Sequence, residues 1–190
     1  MLLYLHGISS AGKTSIGKEL LKHLPNAILI DQDTYYKKLK PLVTFKGAKG
    51  PALTGDQVYT SANWDTHEAI DFIQFNDDIQ EAVNLYDYVI VTGFALRQPY
   101  MLFKPDLSIL LDIGDNALHK IVTARRVSKG YSGDKAIKDY YMVSQVVYPY
   151  YLETLKEIYV DYVLPVYNQD QRILLKDLVS QILQYMDNHY

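Results

Sequence analysis

The chain has 190 residues, of which 48% are hydrophobic and 22% are charged, so it is long and apolar enough to bury the core of one globular domain. Its 19 Lys and Arg stand against 22 Asp and Glu, and the net charge of −3 argues against a protein built to bind nucleic acid or an anionic membrane. The absence of Cys excludes a disulfide framework, a cysteine nucleophile and a cysteine-ligated zinc site, and it favours a cytoplasmic protein.

Short apolar runs alternate with helical periods along the chain, which is the pattern of βαβ units that build a parallel sheet. The first run, Leu2–His6, is too short for a membrane anchor and lacks the basic start of a signal peptide, so we expect a buried strand. Further strands are predicted at 27–31, 88–92, 107–112 and 159–165, and helices at about 13–23, 65–85, 116–128, 134–157 and 171–187. The prediction is a single α/β domain over residues 1–190.

Two segments interrupt this alternation. Residues 35–63 contain two Pro, three Gly and five Lys, which predicts an excursion over the surface of the kind that forms a lid or a binding loop. Residues 116–134 begin with a basic helix and end with Gly130 and Gly133, which predicts a lid that moves on a glycine hinge.

The sharpest motif lies at residues 7–14, where Gly-Ile-Ser-Ser-Ala-Gly-Lys-Thr matches G-x-x-x-x-G-K-[ST] between a predicted strand and a predicted helix. Such a loop directs its N–H groups at phosphate oxygens, Lys13 adds a charge for the outer phosphates, and the Thr14 hydroxyl can ligate Mg²⁺. We therefore expect ATP and Mg²⁺, with phosphates bound by Gly7, Ser9, Ser10, Ala11, Gly12, Lys13, Thr14 and Ser15. The chain has no guanine-reading Asn-Lys-x-Asp segment and is too short for a motor ATPase, which favours a small phosphotransferase.

Two carboxylates, Asp31 and Asp33, stand at the end of the second predicted strand, and the carboxyl end of a strand faces the ligand crevice of a parallel sheet. An acceptor hydroxyl needs a carboxylate there to orient it and to take its proton. Asp33 is predicted as this general base and as a second contact to Mg²⁺, and Asp31, deeper in the strand, is the alternative base. One of the two could instead cap a short helix.

The phosphate-binding loop at residues 7–14, called the P-loop below, and the segment Gln32 to Lys37 together resemble the nicotinamide riboside kinase and uridine kinase branch of the P-loop nucleoside kinases. Residues 63–71, 89–94 and 148–165 are similar to later segments of the same family. The resemblance implies a three-layer P-loop kinase fold with a five-stranded parallel sheet, helices on both faces and a helical lid. It also implies transfer of the γ-phosphate of ATP to the 5′-hydroxyl of a ribonucleoside, such as nicotinamide riboside, uridine or cytidine.

The resemblance implies roles for single residues on the acceptor side. It places Asp33 on the family's general base, Asp65 on the carboxylate that binds the ribose hydroxyls, and Tyr36 and Trp64 beside the nucleoside. The residues themselves allow other roles, because Asp65 can cap the helix predicted over 65–85 and Trp64 can belong to the core.

The predicted lid carries three cations that could neutralise charge on the transferring phosphate, namely Arg125, Arg126 and Lys129. Arg126 fits the family's catalytic arginine and Arg125 is assigned to phosphate binding, whereas a solvated helix face is the alternative for each of them.

One residue departs from the family, because Thr92 stands where a Glu helps to hold Mg²⁺. The Ser-Ser-Ala-Gly-Lys core of the P-loop also resembles the chloramphenicol phosphotransferase type, and a non-catalytic ATP-binding module is a further alternative. The expected partner is a small-molecule acceptor, with neither nucleic acid nor membrane, and the sequence indicates no particular oligomeric state.

Overall fold

The computed structural model describes residues 1–48, 57–94 and 96–190. The strands in these ranges are β1 (Leu2–His6), β2 (Ala27–Asp31), β3 (Leu42–Gly47), β4 (Gln57–Ala62), β5 (Tyr88–Gly93), β6 (Leu107–Asp112), β7 (Tyr162–Pro165), β8 (Tyr167–Asn168) and β9 (Gln171–Arg172). The helices are α1 (Lys13–Leu20), α2 (Phe72–Leu85), α3 (Ala117–Lys129), α4 (Gly133–Met142), α5 (Tyr148–Leu155) and α6 (Leu175–His189).

Five strands form one parallel sheet in the order β2-β5-β1-β6-β7. Alternate side chains of β1 pack into two different cores. Leu3 and Leu5 lie with residues of α1, α3 and α6, whereas Leu2 and Tyr4 lie on the other face with residues of α2. Because helices cover both faces of a parallel sheet, the predicted three-layer α/β fold is confirmed.

The helix predicted over 65–85 begins later, at Phe72. A short 3₁₀ turn at His67–Ala69 and an extended Ile70 precede it instead. The Lys37 N–H donates to the Ala69 carbonyl and the Asp71 N–H donates to the Tyr35 carbonyl, each at 2.8 Å, which holds this segment against residues 35–37. The Asp71 side chain accepts the Gln74 N–H and caps α2. The alternative in which Asp65 caps this helix is therefore wrong.

Two other helices differ from the prediction for similar local reasons. The last helix begins at Leu175, because residues 171–172 pair with 167–168 in the β8–β9 hairpin. The helix predicted over 134–157 is divided into α4 and α5 by a π-helical turn at Val143–Val147, and Pro149 follows in the first turn of α5, where a missing N–H is tolerated.

The excursion predicted for residues 35–63 contains an antiparallel hairpin of β3 and β4, which its sequence did not indicate. Residues 49–56 of that excursion lie outside the described part of the chain. The hairpin contacts the helical segment that follows the predicted lid, because Lys138 of α4 donates to the Thr60 carbonyl at 2.8 Å and Gln145 donates to the Lys46 carbonyl at 2.6 Å. Over the described ranges, no helix is both long and apolar enough to cross a membrane.

His6 ends β1 directly below the P-loop and is buried with only 2% of its surface exposed. The Ser108 hydroxyl donates to the Tyr159 carbonyl at 2.6 Å, so it accepts the Nε2–H of His6 at 2.8 Å. Burial, with a smaller contribution from the charge of Lys13, lowers the pKa of His6 from 6.5 to about 3.

This buried neutral histidine predicts acid sensitivity of the fold. Between pH 6.5 and about 3 the unfolded chain protonates His6 and the folded chain does not, so unfolding takes up a proton. As the pH is lowered across this window, His6 alone should reduce the free energy of unfolding by about 1.4 kcal/mol per pH unit. The stabilising contribution of His6 is fully present above pH 6.5. Urea unfolding of wild type and His6→Gln at a series of pH values tests this. Parallel curves for the two proteins would contradict it.

Candidate active site

A cavity of about 800 Å³ opens where β1 and β2 end. The P-loop residues that line it are Ser9, Ser10, Gly12, Lys13, Thr14 and Ser15. Asp33, Tyr36, Trp64, Asp65 and Arg125 line the same cavity, so residues that are far apart in the sequence meet at one edge of the sheet. Gly7 and Ala11, also predicted to bind phosphate, are buried in the base of the loop.

The P-loop backbone has a positive φ at Gly12 and at Ser10. Gly12, at the start of α1, has φ +103°, and a Cβ there would lie 2.6 Å from a guanidinium nitrogen of Arg172. Ser10 also has a positive φ of 70°. Lys13 Nζ donates to the Ile8 carbonyl at 3.1 Å, which folds the lysine over the loop.

The two carboxylates after β2 have different partners. Asp31 accepts the Thr14 hydroxyl at 2.7 Å and also the Asp33 N–H at 3.2 Å, which caps the 3₁₀ turn Gln32–Thr34. Asp33 is exposed to the cavity and accepts the Tyr36 hydroxyl at 3.0 Å. The geometry thus ties Asp31 to the P-loop and leaves Asp33 facing the space where an acceptor would lie.

Charges at this edge depend on one another. Burial lowers the pKa of the Lys13 ammonium, and the charges of Asp33, Asp65 and Asp31 counteract part of that shift. Burial, reinforced by the charges of Asp33 and Asp65, raises the pKa of the Tyr36 phenol. Tyr36 therefore keeps its proton at neutral pH and can donate it in the hydrogen bond to Asp33.

Arg125 joins the predicted lid to the P-loop. Its guanidinium forms hydrogen bonds of 2.8 to 3.2 Å with Asp139 of α4, donates to the Ser9 hydroxyl at 2.8 Å and lies 4.0 Å from Asp65. Burial opposes its charge, but the hydrogen bonds to Asp139 and the charge of Asp65 outweigh burial and raise the pKa of Arg125.

Arg126, predicted to be the catalytic arginine, follows Arg125 on α3 but does not face the cavity. Its side chain is exposed, and in the described part of the chain Arg125 and Lys129 line the cavity while Arg126 does not. In an α-helix successive residues are rotated by about 100°, so the side chain that follows Arg125 points in a different direction from it. The structure therefore corrects the placement of Arg126 in the site.

Tyr36 and Trp64 contact each other directly. Their ring centroids are 4.8 Å apart at an interplanar angle of 67°, and the Lys40 ammonium lies 4.4 Å above the Trp64 ring. The two rings form a corner of the cavity rather than the two walls of a slot. Burial raises the pKa of the neighbouring Asp65, and the charges of Arg125, Lys129 and Lys13 act against that rise.

Thr92, which stands where the resemblance led us to expect a Glu, does not line the cavity among the described residues. Its side chain is fully buried, its methyl group lies near Gly17 of α1, and its hydroxyl has no hydrogen-bond partner within the described ranges. In the sheet Thr92 is the direct neighbour of Asp31. The carboxylate nearest to this strand end is thus supplied by β2.

Sequence reasoning missed several residues of the site. Lys135 and Lys138 of α4 and Ser61 of β4 line the cavity, and Arg172 of β9 contacts the P-loop from outside. No local pattern indicated them, because each reaches the site through a contact between segments that are distant in the chain.

Comparison with known proteins agrees with this geometry at the level of the fold. No family model matches the chain. A nicotinamide riboside kinase of Eremothecium gossypii is 29% identical over 93 residues, which is 49% of this chain and only 31% of that relative.

Solved structures match over almost the whole chain at low identity. Shikimate kinase from Bacteroides thetaiotaomicron has a TM-score of 0.51 at 14% identity and covers 98% of both chains. Shikimate kinase from Acinetobacter baumannii, solved in complex with shikimate, has a TM-score of 0.50 at 18% identity over 98% of this chain and 93% of its own. TT1252 from Thermus thermophilus has a TM-score of 0.57 at 11% identity over 100% and 98%. The chain has the fold of small-molecule kinases of the P-loop type.

The buried pair between α3 and α4 yields a stability prediction. Asp139→Asn removes the charge that compensates Arg125, and an uncompensated buried charge should cost about 3 kcal/mol of unfolding free energy. Urea unfolding at neutral pH measures the loss. Asp77→Asn, at an exposed position of α2, is the matched control and should change little. Equal, small losses in both variants would contradict a stabilising role for the pair.

Proposed function

We propose that the protein is an ATP-dependent small-molecule kinase that transfers the γ-phosphate to a hydroxyl group, and that its acceptor is the 5′-hydroxyl of a ribonucleoside. The observation that carries this proposal is that the P-loop and the Asp33 carboxylate line one cavity. A phosphate donor site and a proton acceptor at the same sheet edge are the two requirements for transfer to an alcohol.

The donor would bind along the P-loop, with Lys13 at the outer phosphates. Arg125 and Lys129 approach from α3 and would neutralise charge on the transferring group, a role that we assign to Arg125 in place of Arg126. A second cavity of about 750 Å³ lies between α3 and the β8–β9 hairpin, on the outer side of the P-loop, and we assign it to the base of the nucleotide.

In the reaction, the acceptor oxygen forms a bond to the γ-phosphorus while the bond from that phosphorus to the bridging oxygen breaks. The bridging oxygen keeps the electron pair, and ADP leaves. The acceptor hydroxyl gives its proton to the Asp33 carboxylate, which the Tyr36 hydroxyl holds in place by its hydrogen bond.

The residues present fit a magnesium ion. A hydroxyl from Thr14 and a carboxylate from Asp31 already lie 2.7 Å apart beside the P-loop, and Mg²⁺ in such sites takes one or two protein oxygens together with phosphates and water. When bound, Mg²⁺ neutralises phosphate charge. We therefore propose Thr14 and Asp31 as the residues that hold it, with Asp33 kept for the proton.

The acceptor assignment rests on the aromatic corner of Tyr36 and Trp64 and on Asp65 beside it. A flat polar ring could contact the corner, and the Asp65 carboxylate could accept hydrogen bonds from sugar hydroxyls. The partial likeness to a nicotinamide riboside kinase supports a nucleoside.

A turnover assay tests the function. ATP consumption is followed with nicotinamide riboside, uridine, cytidine, chloramphenicol and shikimate as acceptors. Turnover with a nucleoside supports the proposal, and turnover with only chloramphenicol or shikimate would overturn the acceptor class. Tight ATP binding without turnover on any acceptor would identify a binding module and overturn the kinase.

The role of Asp33 predicts the effect of an isosteric change. Asp33→Asn keeps the shape of the side chain but removes the proton acceptor, so kcat should fall by at least about 100-fold while the Kd for ATP stays nearly unchanged. Lys13→Ala should weaken both transfer and ATP binding. Asp77→Asn is the control for a lost carboxylate outside the cavity. Full turnover in Asp33→Asn would remove Asp33 as the base.

The metal assignment predicts a binding difference between the two carboxylates. With Mn²⁺ as the probe and ADP present, Asp31→Asn should weaken metal binding by about tenfold, because it removes a charged oxygen beside the Thr14 hydroxyl. Asp33→Asn should leave metal binding unchanged. Electron paramagnetic resonance of free Mn²⁺ gives the affinity without any turnover. The reverse pattern would assign the metal to Asp33.

A further inference from the structure

Arg172 contacts the P-loop but is not among the described residues that line the cavity of about 800 Å³. Its guanidinium donates to the Ser10 carbonyl at 3.2 Å and to the Ala11 carbonyl at 2.9 Å, so one side chain holds two consecutive peptide units. The residue lies on β9, about 160 positions away in the chain, and no part of the P-loop motif requires it. Arg172 also lines the cavity that we assign to the nucleotide base, but neither the sequence pattern nor the proposed transfer step explains its hydrogen bonds to the P-loop.

The hairpin that carries Arg172 is itself fixed. The Ile173 N–H donates to the Val166 carbonyl at 3.1 Å, and Lys120 of α3 donates to the Gln169 carbonyl at 2.8 Å. The guanidinium also lies 5.8 Å from the centre of the Tyr167 ring on the facing strand. Arg172 is therefore presented to the loop from an anchored position, although its side chain is exposed.

The direction of these hydrogen bonds bears on phosphate binding. A trans peptide unit points its N–H opposite to its C=O. When Arg172 holds the Ala11 carbonyl from outside, the N–H of Gly12 in the same peptide unit is turned the other way, and Gly12 lines the cavity. Ser10 itself has a φ of 70°, which is costly for a residue other than glycine. The hydrogen bond from Arg172 to the Ser10 carbonyl stabilises the loop in this conformation.

We propose that Arg172 is a positioning residue that holds the P-loop in its phosphate-binding conformation and couples the β8–β9 hairpin to the donor site. The inference rests on the proposed function only in that the loop binds phosphate. A planar guanidinium with two donors in a fixed fork can hold two carbonyls at once, and an ammonium cannot reproduce that geometry. The proposal therefore concerns the shape of the side chain and not its charge alone.

The test compares Arg172→Ala and Arg172→Lys with wild type, and Gln171→Ala serves as the neighbouring control on the same strand. Isothermal titration with tripolyphosphate measures the phosphate site without the base of a nucleotide. We expect the affinity to fall by about tenfold in both Arg172 variants, the size of effect that loss of a correctly held donor set produces. The Gln171→Ala protein should bind like wild type, and the thermal unfolding temperature should be similar in all four proteins.

A second readout needs no ligand. The ¹⁵N–¹H resonance of Gly12 in the free protein should move in both Arg172 variants and stay in place in Gln171→Ala. Wild-type affinity or an unmoved Gly12 resonance in Arg172→Ala would overturn the proposal, and so would rescue by Arg172→Lys, which would indicate a simple charge effect. If wild type itself does not bind tripolyphosphate, the proposed donor site fails, and the Gly12 resonance still decides whether Arg172 positions the loop.

Discussion

The burial of the Lys13 charge at the end of the P-loop is the constraint on which the rest of the site depends. Partial burial lowers the pKa of this ammonium, and the fold places Asp31, Asp33 and Asp65 where their charges act against that shift. These carboxylates come from the end of β2 and from the segment before α2. The parallel sheet brings both of these segments to the same edge as the P-loop, so the topology of the sheet determines which charges lie near Lys13.

Asp31 and Asp33 have different proposed roles because their carboxylates lie in different surroundings. Asp31 is bonded to the Thr14 hydroxyl and caps the turn that presents Asp33, whereas Asp33 faces the cavity with its orientation set by Tyr36. Thr92, which lacks a carboxylate, is the direct sheet neighbour of Asp31. In the account proposed above, Asp31 of β2 therefore supplies the carboxylate that Thr92 of the adjacent strand cannot.

The sequence alone allowed the sheet, most helices and the P-loop to be predicted, because apolar periodicity and the glycine pattern are local signals. The later start of α2 could not be predicted, since it results from hydrogen bonds between residues 35–37 and 69–71. The same holds for the β3–β4 hairpin and for Arg172, whose contacts span distant segments. Arg125 and Arg126 were ambiguous because the register of α3 against the cavity is a tertiary property. The hydroxyls of Tyr35, Tyr36 and Tyr59 donate to Asp78, Asp33 and the Ala48 carbonyl, and these contacts too were not indicated by the sequence.

The central claim is that the cavity joins a phosphate donor to an alcohol acceptor. The most direct measurement is ³¹P nuclear magnetic resonance of the protein with ATP, Mg²⁺ and a mixture of ribonucleosides. The account predicts a phosphomonoester resonance that grows in step with ADP. Growth of ADP together with inorganic phosphate alone, or an unchanged ATP spectrum, would contradict it.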